Sequence, residues 1–475
     1  GHDAGRQGRI DALVLRIGAG ELLAALGSGI AMSATEYARP AELGLTPAAE
    51  AMLQDEAVRR LVPGPDAAAA RAELAALLMA GQRPDETLDD EALDAIRSAV
   101  RAFAAERIAP HAHRWHLADD LIPRKIIDEM AALGLLGVAM PTEYGGLGLG
   151  KLAMAVVSEE LSRAWICAGS LGTRSEIAAE LIAENGTEAQ KRQWLPRLAS
   201  GAALPTAVFT EPDCGSDLAR VATRAVREAD GAWSITGAKT WITHAARADL
   251  MTLLARTDPA RPGHEGLSML LVPKSAMQDD CDFPDAGLSG SEIPVLGYRG
   301  MREYALSFDG FSAPADALLG GVEGQGFKQL MRTFEAARIQ TAARAVGVAW
   351  NAFDLALRYA GDRRQFGRSL AAFPRVADKI ALICTETIVA RELTHDAARA
   401  KDEGRRCDVE AGMAKLLAAR CAWASADQCV QIHGGNGYAL EFEASRVLCD
   451  ARILSIFEGA AEIQAHVIAR ALLKA

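Results

Sequence analysis

The segment Ile456-Phe457-Glu458-Gly459-Ala460-Ala461-Glu462-Ile463-Gln464 sets a carboxylate just ahead of a run of small residues. From 461 to 473 apolar residues recur at helical spacing, which predicts a helix there. Held beside a flat cofactor and away from water, Glu458 can act as a general base. Standing alone, it is equally an anion favoured at a helix N-terminus. Upstream, Gln431-Ile432-His433-Gly434-Gly435-Asn436-Gly437-Tyr438 holds three glycines in four positions, so its backbone can turn sharply and approach a ligand. Three further stretches carry groups of the same kind. Thr210-Glu211-Pro212-Asp213-Cys214-Gly215-Ser216-Asp217 offers hydroxyls and bare backbone suited to a ring edge or an acyl chain, or else to a structural turn. Lys239-Thr240-Trp241-Ile242-Thr243-His244 pairs an aromatic ring with hydroxyls, although Trp241 can simply be core. Arg363-Arg364-Gln365-Phe366-Gly367 supplies a basic pair able to grip a pyrophosphate, or to lie solvated.

These stretches need a scaffold, and the chain's texture gives one in the order α, β, α. Residues 1–86 read as a helical extension, with helical periodicity over 11–26 and 68–79 and breaks at 27–29 and 63–65. Gly18-Ala19-Gly20 has no strand before it and is a weak dinucleotide signal. Residues 87–204 predict an α-domain, with helices over 92–107, 123–135, 153–165, 176–184 and 190–198. From 205 to 318 short strands (207–209, 232–235, 250–255, 267–272 and 304–308) alternate with turn residues, which predicts a β-domain. From 319 to 475 long helices over 327–359, 373–401, 409–433 and 442–451 predict a four-helix bundle. The fold class is therefore α+β, mostly α.

Composition narrows the function. With 475 residues a large core is available. A net charge of −11 with no basic stripe argues against nucleic acid. No run of apolar residues is long enough for a membrane span. The eight cysteines, at 167, 214, 281, 384, 407, 421, 429 and 449, are scattered, which suits reduced thiols in the cytoplasm. His111, His113 and His116 do not share one helix face; they read as a solvated helix end, and no metal site is expected.

Taken together, the four motifs, their order and the α–β–α layout over residues 90–475 resemble the acyl-CoA dehydrogenase family. The resemblance implies FAD. It assigns Phe209, Thr210, Gly215, Ser216, Trp241 and Thr243 to the flavin ring. It assigns Arg363, Gln365, Phe366, Gln431, Gly434 and Gly435 to the pyrophosphate and adenine across a dimer interface, so a lone subunit would hold an incomplete site. Ala460 and Glu462 fall with the cofactor contacts. The family places its base at one of two positions. One matches Glu458; the other matches Ala337, which cannot take a proton, so the base is Glu458. Glu335 and Arg338 match an acyl-CoA-contacting pair, with Glu where Asp is usual, and Ser216 and Gly459 match further substrate contacts. Pro374 stands where a flavin-contacting glutamine is usual, Ala460 replaces a threonine and His244 an asparagine.

The implied reaction is removal of an α-proton by Glu458 and of a β-hydride by the flavin. The Glu458 backbone N–H and a ribityl hydroxyl would hold the thioester oxygen. Burial against ligand and ring is expected to raise the Glu458 pKa toward working pH. Electron-transfer flavoprotein is the implied acceptor. Arg174, within Gly172-Thr173-Arg174-Ser175-Glu176 at an expected helix head, either binds a substrate carboxylate or pairs with Glu176 or another neighbour. This stretch and the helical extension resemble family members that convert (2S)-methylsuccinyl-CoA to mesaconyl-CoA. Glutaryl-CoA or another short or branched acyl-CoA is the alternative. A homo-oligomer is expected, either a dimer of dimers or, with the extension covering the second interface, a dimer. A non-catalytic binding module would lack the base or the flavin contacts, and an oxidase or monooxygenase would differ in length and C-terminal organisation.

Overall fold

The computed structural model describes residues 8–31, 37–39, 42, 46–53, 55–59, 65–278 and 280–473. Two long extension helices come first, α1 (Arg9–Ser28) and α2 (Pro65–Met79), with two short helical pieces, Pro47–Leu53 and Glu56–Arg59, between them. Gly29 at φ +97° closes α1, while the expected break at 63–65 lies outside the described residues except for Pro65, which opens α2. Six helices follow: α3 (Glu91–Arg107), α4 (Ala109–Ala118), α5 (Arg124–Ala132), α6 (Gly150–Ala164), α7 (Ile166–Asn185) and α8 (Glu188–Ala199). Local chemistry sets their starts. The Asp90 carboxylate accepts from the Ala92 and Leu93 amides at 2.9 and 3.1 Å, and Thr187 with Gln190 forms a reciprocal capping box ahead of α8.

The sheet comprises β1 (Pro205–Val208), β2 (Arg224–Arg227), β3 (Trp233–Thr243), β4 (Leu250–Arg256), β5 (Leu267–Pro273), β6 (Leu288–Ile293) and β7 (Glu303–Ala313). Its order is β1-β4-β2-β3-β7-β6, with β5 pairing β4. β1 runs parallel to β4, and β3 pairs antiparallel with β7. The polar strands β2 and β6 were not anticipated from the sequence. Each buries a single residue, so neither shows the apolar run that marks β4 and β5.

The bundle consists of α9 (Gly326–Asp362), α10 (Pro374–Asp402), α11 (Asp408–His433) and α12 (Glu443–Ile453), with α13 (Ala461–Leu472) packed on α11 as a fifth helix. α9 is buried on nearly every side, because α6, α7, α10 and α11 all surround it. The extension belongs to the same core: Leu13, Ile17, Leu74 and Leu78 pack in one cluster with Ile380 and Ile383 of α10. Gly18 is mid-helix in α1, not in a turn, and faces Thr385 and Val389 of the bundle, where a Cβ would make ordinary contact at 3.5 Å. His116 is buried rather than solvated, and burial, with Arg299 nearby, depresses its pKa to about 3. No helix among the described residues is long and apolar enough to cross a membrane.

Candidate functional site

Glu458 lies in an irregular segment between α12 and α13. Its backbone is left-handed at φ +52°, and Gly459 follows at +92°. A positive φ is costly for glutamate and persists only where its surroundings enforce it. Here Lys415, wholly buried on α11, donates its Nζ to the Gly459 carbonyl at 2.6 Å, and Gln464 Nε2 donates to the same oxygen at 3.2 Å. Burial lowers the Lys415 pKa to about 8. A side chain at Gly459 would be strained by its φ of +92°, and its Cβ would displace the Gln464 amide, 2.1 Å away.

The Glu458 carboxylate is 12% exposed and gripped from two sides. Arg174 Nη2, from α7, donates to Oε1 at 2.7 Å. Arg344 Nη2, from α9, donates to Oε2 at 2.5 Å, and the Thr341 hydroxyl donates to the same oxygen. Arg344 is fixed in turn by Ser170 Oγ at 2.8 Å and Thr341 Oγ1 at 2.9 Å, with its guanidinium 4.9 Å from the centroid of the Phe457 ring. Burial alone would raise the Glu458 pKa. Arg344, then Arg174, with the Thr341 and Arg344 hydrogen bonds, outweigh it and hold the carboxyl at about 2. The expected upward shift is thus reversed in the ligand-free chain, because two helices supply cations that the local sequence does not contain. Burial opposes the Arg174 cation, and Glu458 more than offsets it, so the Arg174 pKa lies above its ordinary value. Nor does Glu458 cap α13: the residue ahead of that helix is Ala460, which makes no side-chain cap.

Arg174 sits within α7 and not at a helix head, because Ile166–Leu171 is buried and continues the helix upstream. Its partner is Glu458; Glu176 pairs instead with Lys151. Near Arg174, the Thr243 hydroxyl donates to the buried Glu303 carboxylate at 2.8 Å, and burial pushes that group up to about 7. Buried Tyr298 and His244 line the same wall, and both His244 ring nitrogens lack a hydrogen-bond partner among the described residues.

The expected flavin contacts from the β-domain come together beside this wall. The register of β3 against β7 shifts between Lys239 and Ile242, and this bulge, with φ +58° at Trp241, leaves the indole 55% exposed. Phe209 and Thr210 are half-buried at the end of β1, and Gly215 and Ser216 are exposed on the turn that follows. Thr243 is buried with its hydroxyl turned to Glu303. Arg363, Gln365 and Phe366 (92% exposed) lie on a small hairpin just past α9, and exposed Gln431, Gly434 and Gly435 lie at the end of α11. Tyr359 joins these two groups: it stacks on His433 at 4.1 Å, and Asn436 Nδ2 donates to its hydroxyl at 3.0 Å. Along α9, however, Thr341 and Asp362 are about 30 Å apart, so this second group is remote from Glu458 of its own subunit. Half-buried Ala460 and exposed Glu462 flank the start of α13. Glu335 pairs with Lys401 at 3.1 Å in a cleft also lined by Glu184 and Arg332, and forms no ion pair with Arg338 among the described residues.

Arg344, Thr341, Lys415, Glu303 and Tyr298 are the site residues that sequence reasoning passed over. Arg344 had a readable signal: it is a lone cation in the otherwise apolar run 342–350 of a buried helix, where an unpaired charge is excluded.

A glutamate held by arginines from two helices, with α-, β- and α-parts in series, is matched by known proteins. Residues 90–202, 206–311 and 324–473 match, in turn, the N-terminal, middle and C-terminal domains of acyl-CoA dehydrogenase. The chain is 58% identical over 473 residues to the (2S)-methylsuccinyl-CoA dehydrogenase of Cereibacter sphaeroides, covering 99% of this chain and 85% of that one. A glutaryl-CoA dehydrogenase from Mycobacterium smegmatis in complex with FADH2 superposes with a TM-score of 0.74 at 29% identity, covering 81% of this chain and 95% of that one. A chain solved in work on the electron transferring flavoprotein of Acidaminococcus fermentans superposes at 0.76 with 32% identity, covering 82% and 100%. Three domains matched in series, around a glutamate that the fold itself forces into place, leave one conclusion: the chain belongs to the acyl-CoA dehydrogenase family.

Proposed function

We propose that the chain oxidises (2S)-methylsuccinyl-CoA to mesaconyl-CoA. The observation that carries this reading is the pair of buried guanidiniums, Arg174 and Arg344, at the base. Two cations facing one carboxylate leave a surplus positive charge in a closed wall, costly against a plain alkyl chain and well matched to a second carboxylate. Arg174 is the residue assigned to that carboxylate, joined by Arg344. The 58% identity to a methylsuccinyl-CoA dehydrogenase favours this substrate over glutaryl-CoA.

The residues present fit FAD. Gly215, Gly434 and Gly435 leave open space where a Cβ would stand, and the bulge in β3 turns the Trp241 ring outward. FAD, when bound, supplies the hydride acceptor. Trp241, Thr243 and Ser216 would hold its ring, while the hairpin carrying Arg363, Gln365 and Phe366 and the loop from Gln431 to Gly435 would hold its far end. Because about 30 Å of α9 separates that far end from Glu458, the second group serves the partner subunit of a homo-oligomer. The extension helices packed on α10 cover a face of the bundle, which favours a dimer. Glu458 takes the proton from C2, and its backbone N–H, without an acceptor among the described residues, is free to hold the thioester oxygen. Electron-transfer flavoprotein is the assigned acceptor, supported by the likeness to the Acidaminococcus fermentans chain.

Anaerobic addition of acyl-CoAs to the yellow protein tests the substrate. Methylsuccinyl-CoA should bleach the flavin band and butyryl-CoA should not. Bleaching by butyryl- or glutaryl-CoA in preference would overturn the assignment.

A further inference from the structure

We propose that Arg174 and Arg344 hold Glu458 idle until the free carboxylate of the substrate draws the guanidiniums onto itself and releases the base. This rests on the dicarboxylate reading above. It adds that the two arginines are positioning residues acting through Glu458 and not merely a binding pocket.

The geometry supports it in three ways. First, each oxygen of Glu458 is taken by a different guanidinium, at 2.7 and 2.5 Å, and Oε2 also by Thr341, so three of its roughly four lone-pair sites are engaged. A carboxylate bound in this way is a poor proton acceptor, and proton transfer follows the acceptor's basicity. Second, the cluster has donors to spare. Among the described residues, the Nε–H groups of both Arg174 and Arg344 are buried without a partner, although each such orphan costs free energy. A second carboxylate entering the wall would satisfy them. Third, the surrounding charge is unbalanced. The groups facing the cluster are Glu303, which burial pushes toward the neutral acid, the phenol of Tyr298, the hydroxyls of Ser170 and Thr341, buried His244, and Lys415 behind Gly459. Glu458 is the one carboxylate among them in contact with a guanidinium, so the pair of arginines carries a surplus positive charge that the substrate's own carboxylate offsets.

The consequence separates this idea from simple recognition. If the arginines only bind, a substrate with a methyl group in place of the carboxylate suffers in KM, and removing an arginine does nothing for it. If they also restrain the base, that neutral substrate suffers in kcat, and removing an arginine helps it.

The test uses the flavin-loaded protein with methylsuccinyl-CoA and 2-methylbutyryl-CoA. Arg174→Ala should lose roughly 100-fold or more in kcat/KM on the dicarboxylic substrate and gain about tenfold in kcat on the neutral one, as expected for a base that becomes more basic. An unchanged or lower kcat on 2-methylbutyryl-CoA would overturn the proposal. A second arm keeps the wild-type chain and titrates sodium formate into the 2-methylbutyryl-CoA reaction at constant ionic strength. Formate, a small carboxylate, should raise kcat saturably while chloride does not; no stimulation would overturn the proposal even if Arg174→Ala fails to load flavin. Should methylsuccinyl-CoA leave the wild-type flavin unbleached while 2-methylbutyryl-CoA bleaches it, the substrate reading fails by itself. The restraint is then judged by the Arg174→Ala gain alone.

Discussion

Replacing the base by its uncharged isostere, Glu458→Gln, should have three effects that do not ordinarily go together. Activity falls, by the roughly 10²–10⁴-fold that a positioned base contributes. Stability falls as well, because the carboxylate is the counter-ion of two buried guanidiniums. A carboxyl held at about 2 against an ordinary 4.5 contributes about 3 kcal/mol at neutral pH, in the range expected for breaking a buried pair, about 3–5 kcal/mol. For a chain of this length that is a fall of about 3 °C in melting temperature. The sign fixes the pH window. The folded pKa is depressed, so the contribution is complete above about 4.5 and is lost as pH falls toward about 2, and the wild-type and variant melting curves should converge across that interval. Binding, by contrast, should tighten. With Glu458 neutral, the substrate carboxylate is the only anion left for Arg174 and Arg344, and the dissociation constant of methylsuccinyl-CoA for the flavin-loaded variant should drop about tenfold or more. Calorimetric unfolding at pH 7 and equilibrium titration of the inactive variant measure both. A variant that melts at or above the wild-type temperature, or binds the dicarboxylic thioester more weakly, would refute the two-arginine account of this site.

Two other positions yield sharp expectations. Lys415→Met removes the donor that pins the Gly459 carbonyl at 2.6 Å and so frees a left-handed segment; kcat should fall about 10- to 100-fold with KM changed little, and an equal loss in both would show that Lys415 acts on binding instead. Leu74→Ala, in the extension helix that shares a core with Ile380 and Ile383, should cost about 2–5 kcal/mol by urea unfolding of the loaded protein while leaving kcat unchanged; an unaltered midpoint would mean that the extension is not part of the cooperative fold.

How much of this site the sequence disclosed depends on how far each cause lies along the chain. Glu458 was found because its signal is local: a carboxylate and a glycine ahead of a periodic run. Trp241 was found as a residue but not as an exposed ring, since its outward turn needs a bulge set by pairing with β7. In the ligand-free chain the Glu458 pKa moves opposite to what burial against ligand and ring would give, for the same reason. Its partners lie 284 and 114 residues away in sequence, and only the packing of α7 and α9 around one point brings them to it. Burial, which can be guessed from a short stretch, pushes a carboxyl up; paired charge, which cannot, pushes it down and here prevails. Arg344 lies between these cases. A charged residue among Ala342, Ala343, Ala345 and Val346 on a helix destined for the core needs a buried anion somewhere, and a long helix with one lone cation on its apolar length is legible as a demand. What could not be read was which carboxylate answers that demand. In the ligand-free chain it is the base itself, and that is why charge in the acyl wall bears on proton abstraction as well as on recognition.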